Sequence, residues 1–141
     1  MKITILGSVA FRKEQLDMKN KLKELGHVGI ISSDMEELAL GKNQELLDRI
    51  EKDHSKAKKE GGYIKWYYDS IVASDVVLVL NLNKNGQENY IGGNVLMEIG
   101  FAHVHDKKIF LFNPVPEYVS YTDEIKAMHD EIINGDLTKI T

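Results

Sequence analysis

At 141 residues the chain has the length of a single domain, 1–141, and its 43% hydrophobic and 28% charged residues make an ordinary globular composition. It has no cysteine, which excludes disulfides, thiolate metal sites and cysteine nucleophiles, and which points to the cytoplasm. A net charge of -4 without a basic cluster argues against nucleic-acid binding, and no apolar run approaches the roughly 20 residues of a membrane span.

Residues 2–6 (KITIL) are rich in isoleucine, as expected of a strand covered on both faces. The start MKITILGSVAF lacks a small-residue cleavage site and runs into a charged amphipathic segment, so it reads as a first strand rather than a leader. Gly7-Ser8 breaks that strand, and 12–25 carries Leu16, Leu22 and Leu25 at helical spacing. Gly26 closes this helix where a left-handed residue is wanted, and 27–31 (HVGII) is a second short strand. Ser32, Ser33 and Asp34 offer an N-cap, with Glu36 and Glu37 in the first turn, where negative charge suits the helix dipole. Leu38, Leu46, Leu47 and Ile50 then form a broken apolar stripe interrupted by Gly41. The stretch 51–60 (EKDHSKAKKE) is polar throughout and reads as a solvated helix end or loop.

After Gly61-Gly62, residues 63–70 (YIKWYYDS) read as a helix packing Ile64, Tyr67 and Ile71 inward. Trp66, Tyr67 and Tyr68 are able to stack on a base, although a helix packing its aromatics is the commoner use. An apolar run at 76–82 feeds a polar, glycine-bearing loop, then a helix capped by Asn94, then a second apolar run at 109–112. That order makes one βαβ unit. Pro114 and Pro116 end the fourth strand, and 121–132 reads as a helix with Ile125, Met128 and Ile132 in register. Asn134-Gly135 turns the chain, and 137–140 is the predicted last strand.

Alternating strands and helices predict an α/β fold: a flavodoxin-like or Rossmann-like three-layer architecture with a five-stranded, mostly parallel sheet in the order 2-1-3-4-5. Such sheets bind ligands outside the carboxyl ends of their strands, at the switch point between strands 1 and 3. The candidate ligand contacts are therefore Gly7 and Ser8, the 81–93 loop with Asn81, Gly92 and Gly93, and Asn94 at the start of the following helix. Gly7-Ser8 opens a helix whose N–H groups suit phosphate, but GSVAFRKE is neither GxGxxG nor a Walker A motif. No dinucleotide, ATP or other cofactor is expected. No histidine has a partner at ligand spacing, so no metal site is expected, and no GxSxG supports a serine hydrolase.

Glu98 falls in the second turn of the Asn94 helix, four residues after Asn94 on the same face and away from the apolar stripe of Val95, Leu96, Ile99 and Ala102. The helix dipole is expected to keep it ionised, as a carboxylate nucleophile requires. Glutamate is favoured in any early helical turn, so spacing alone leaves a bland alternative standing. Asp75 precedes the third strand and is expected at its amino end, where capping is the usual role.

Taken together, DVVLVLN, GGNVLMEIGFA and KKIFLFNP resemble the nucleoside 2-deoxyribosyltransferase superfamily, including its 2-deoxynucleoside 5-phosphate N-hydrolase branch. The Glu-Ile-Gly-Phe-Ala segment at its expected place is the more specific part, and the Gly-Ser turn matches too. The resemblance implies cleavage of the N-glycosidic bond of a nucleoside or nucleoside 5′-monophosphate by a glutamate attacking the anomeric carbon, followed by hydrolysis or transfer to another base. By position it makes Glu98 the nucleophile and Asp75 an active-site aspartate, and it makes Ser8 the phosphate-contacting serine. It also implies a homodimer or larger homo-oligomer, with 113–121 the loop placed to complete a neighbouring site. Two positions depart from the family: Thr4 stands where a tyrosine orients the glutamate, and Gly92 where transferases carry a base-contacting aspartate and hydrolases a serine. A catalytically silent nucleotide-binding module on the same fold is the alternative.

Overall fold

The computed structural model describes residues 1–141, except the side chain of Glu60. Five strands form one sheet in the order β2-β1-β3-β4-β5. They are β1 (Lys2–Leu6), β2 (Val28–Ile30), β3 (Val76–Val79), β4 (Lys108–Leu111) and β5 (Glu131–Ile132). Every pairing is parallel, with Ile3 opposite Val76 and Val77 opposite Ile109. The expected flavodoxin-like order is therefore the observed one.

Both faces of the sheet are covered, which is why its inner strands are largely apolar. Ile3, Ile5, Val76, Leu78 and Phe110 face Phe11, Met18 and Leu22, the last two on α1 (Arg12–Glu24). Val77, Val79, Ile109 and Leu111 face the opposite layer. That layer includes α5 (Tyr63–Ala73), α6 (Gly93–Val104) and α7 (Thr122–Met128), through Tyr67, Ile71, Val95, Ile99, Ala102 and Ile125. Ile64, expected to pack inward from α5, is instead 41% exposed.

Two elements differ from expectation. The predicted helix over 121–132 stops at Met128, and the fifth strand is Glu131–Ile132 rather than 137–140. Asp130 makes the break: its carboxylate accepts from the Ile109 backbone N–H at 2.7 Å, and its own N–H donates to the Ile109 carbonyl. The chain is thereby drawn onto the sheet edge. Asn134 and Gly135, at φ 48 and 80, then reverse it into a 3₁₀ turn at Leu137–Lys139, with Ile140 buried beyond it.

Between β2 and β3 lie α2 (Ser33–Ala39), α3 (Gln44–Lys52) and α4 (His54–Gly61). Ser32 caps α2 through the Met35 N–H, as its position in the sequence predicts. The polar stretch expected to be solvated is largely the helix α4, started by an Asp53 side chain that accepts from the Lys56 N–H. That helix matters because it roofs the site. No described helix is long and apolar enough to cross a membrane.

Candidate active site

The loops after β1, β2 and β3 and the start of α6 surround a cavity of about 250 Å³. One side is polar. It holds Gly7, Ser8, Lys84, Gly92, Gly93 and Asn94. The other side is largely apolar and aromatic, with Met35, Leu38, Ile50, Ala57, Tyr63 and Tyr67, and it carries the carboxylate of Asp34. His54 and Lys58 lie over it from α4, and Glu98 lines the cavity from α6. The cavity lies beside the switch point between β1 and β3.

On the polar side the Gly7-Ser8 turn is held from behind. The Gln15 amide, fully buried on α1, donates to the Ser8 carbonyl at 2.9 Å. A Cβ on Gly7 would lie 3.3 Å from the Leu80 carbonyl oxygen and 3.2 Å from Gln15 Nε2, so the close approach of β1 to β3 favours glycine there. Ser8 Oγ accepts from the Ala10 N–H and from Lys84 Nζ, both at 3.2 Å. The Lys84 ammonium also sits 4.6 Å from the centre of the Tyr90 ring. A cation is therefore held beside the Gly7-Ser8 turn.

Glu98 is 3% exposed, and its Oε1 accepts from the Asn94 side chain at 3.3 Å. Burial pushes its carboxyl up from 4.5 to about 8, against a smaller downward pull from the Lys58 ammonium. Burial thus opposes the ionised form that the helix dipole is expected to favour. Helix α6 is capped by Gly92, two residues earlier than predicted, so Glu98 sits beyond the first turn where the dipole acts. Desolvation wins. Tyr67 is close enough to feel Glu98: burial first, and the Glu98 charge after it, hold the phenol above its ordinary value of 10.0, while its oxygen accepts from the Ser32 N–H at 3.4 Å.

Two predicted site residues lie elsewhere. Asp75 sits at the amino end of β3, where its Oδ2 accepts from the Lys2 N–H at 2.7 Å, and the structure does not bring it to the cavity. Asn81 is fully buried, with both polar atoms of its side chain engaged: it donates to the carbonyls of Asn113 and Pro114 and accepts from the Asn113 N–H at 2.9 Å. Its place is a clamp between the loops after β3 and β4.

Thr4, which stands where the resembled family has tyrosine, is buried under α5 and bonded to Ser70 and Ser74 at 3.0 and 2.6 Å. At Gly92 a Cβ would meet the Tyr90 hydroxyl at 2.6 Å. The phenol of Tyr90 therefore occupies the space that a side chain at 92 would take.

The fold is shared with an N-glycosidase. The solved structure of the Clostridium botulinum CMP N-glycosidase BcmB superposes with a TM-score of 0.54 at 16% identity, over 95% of this chain and 90% of that one. No family model and no curated protein sequence matches the chain.

Asp34, Lys58, Tyr63, Lys84 and Tyr90 all line the cavity without having been singled out by sequence pattern. The Asp53 cap was the one local signal that 54–61 would be a helix, and so that Lys58 and His54 would share a face over the site. Among the described residues no group of three or more His, Asp or Glu is placed to hold a metal.

Proposed function

We propose that this chain cleaves the N-glycosidic bond of a nucleoside or nucleoside 5′-monophosphate, with Glu98 as nucleophile. The observation that carries the reading is a buried carboxyl lining a nucleoside-sized cavity, in a fold shared with a CMP N-glycosidase. A Glu98 oxygen attacks C1′, the C1′–N bond breaks, and the base leaves with the bonding pair and takes up a proton. The glycosyl ester then passes to water or to an incoming base, following retaining glycosidase logic. Ser8 and the fixed Lys84 ammonium suit a 5′-phosphate, and Tyr67 with the apolar side suits the base.

The burial that raises Glu98 also explains how it would work. An anion with little water around it attracts the developing oxocarbenium charge more strongly than a solvated one does. Attack requires the ionised form, so kcat/KM should climb with pH and level off above about 8. Lys58→Ala removes the cation that holds the carboxyl down, so it should move that limb to higher pH. Initial rates of base release from pH 5.5 to 9.5 test both, and a rate that falls through this range counts against a nucleophilic Glu98. Asp75→Asn should leave turnover within about twofold, because its partner is the β1 backbone at the far end of β3. Free sugar as product means hydrolysis, and a new nucleoside formed from an added base means transfer.

A binding module without turnover is the second reading, favoured by one observation: Glu98 is buried, and burial favours its protonated form. It predicts saturable nucleotide binding with no product at any pH up to 9.5.

A further inference from the structure

Asp34 stands in the first turn of α2, two residues after the Ser32 cap, where the helix start favours a carboxylate. The Tyr63 hydroxyl, reaching across from the start of α5, donates to its Oδ2. That bond fixes the rotation of the carboxylate and uses one oxygen. Its other oxygen has no hydrogen-bond donor among the described residues. Both side chains line the cavity, and around them stand Met35, Leu38 and Ile50. A group that only accepts is thus held beside apolar lining residues, in the same cavity as the Ser8–Lys84 pair.

We propose that Asp34, oriented by Tyr63, is the specificity determinant of this cavity and selects bases that present an exocyclic amino group. The inference rests on the cavity being a nucleoside site. With sugar and phosphate toward Glu98 and the Lys84 end, the base lies against the apolar wall and turns its edge to Asp34. An ionised carboxylate accepts and never donates. The amino group of cytosine or adenine can donate to the oxygen that Tyr63 leaves free. The keto oxygen that replaces it in uracil or hypoxanthine sets acceptor against acceptor, and a site built for a hydrogen bond rejects an analogue that lacks the partner. Position 92 offers no competing reader, since it is glycine and the Tyr90 phenol fills the adjacent space.

The charges facing this pair are consistent with such a role. Arg49 lies near enough to Tyr63 to pull its pKa down, against the larger upward push of burial and of Asp34 itself. Yet no lysine or arginine forms an ion pair with Asp34 among the described residues. The phenol restrains the carboxylate while leaving its charge unneutralised.

The test uses titration calorimetry on the Glu98→Gln protein, which is expected to bind without cleaving. The ligands are matched pairs: cytidine and uridine 5′-monophosphate, then adenosine and inosine 5′-monophosphate. The amino member of each pair should bind at least about tenfold tighter. In an added Asp34→Asn change, whose amide both donates and accepts, the ratio should fall to within about threefold. Tyr63→Phe should keep the direction of preference and shrink it, since the carboxylate remains but is no longer restrained. Equal binding of amino and keto ligands overturns the inference, as does a preference that survives Asp34→Asn. Binding of none of the four overturns both this inference and the proposed function. Selective binding by Glu98→Gln, alongside a natural chain that releases no base, leaves Asp34 as the selector and removes only the catalytic reading.

Discussion

Replacing Glu98 with Gln should lower base release from a responsive nucleotide by about three orders of magnitude or more, while binding of that nucleotide weakens little. Glutamine keeps the shape, and its amide oxygen still accepts from Asn94, so the cavity retains its form. What is lost is an oxygen able to bond to C1′ and the charge that meets the oxocarbenium ion. An effect of this size on kcat with a near-constant KM marks an interaction made only in the transition state. The decisive measurement is intact mass after rapid acid quench. The natural chain should carry one glycosyl adduct, mapping to the peptide that contains Glu98, and the Gln variant none. Full turnover by Glu98→Gln would remove Glu98 from the chemistry, and an adduct on another residue would reassign the nucleophile.

How much of this was visible beforehand depended on how local each signal was. Sheet order followed from apolar runs such as 76–82, because a strand covered on both faces has no polar side to interrupt it. The short β5 did not, because two residues carry no period. Its position is set by Asp130 reaching Ile109 on the neighbouring strand, a contact that no window of sequence contains. The same division runs through the site. Gly7, Ser8, Gly93 and Asn94 follow from where β1 and β3 end, and topology brings those ends together.

Asp34 and Tyr63, 29 residues apart, meet only when α2 and α5 dock, and Lys58 belongs to a stretch whose polarity reads as solvent-facing. Asn81 misled for the opposite reason. A polar residue at a strand's carboxyl end looks available for a sugar, yet both polar atoms of its side chain are spent joining two loops. The upward push on the Glu98 carboxyl was out of reach altogether, because the helix dipole is written in the sequence and burial is not.

That burial leads to a second large effect, on stability rather than rate. Glu98 binds its proton more tightly in the folded chain, near pH 8, than at the ordinary 4.5 of an unfolded one. Its protonated form therefore supports folding fully below about pH 4.5. That support is lost as pH rises, and the loss is complete above about 8. Between pH 5 and pH 8 the natural chain should lose on the order of 3 kcal/mol from this group alone. Glutamine does not titrate, so Glu98→Gln should gain on its parent by about that amount over the same interval. Urea unfolding of both proteins at pH 5 and pH 8 reads the difference directly, with every other titrating group common to the two. A stability gap that is the same at both pH values would mean that Glu98 is not desolvated in the folded chain. A gap that opens with pH, joined to lost turnover, would place at one residue both the instability and the activity. That is the expected mark of a carboxyl buried for chemistry rather than for folding.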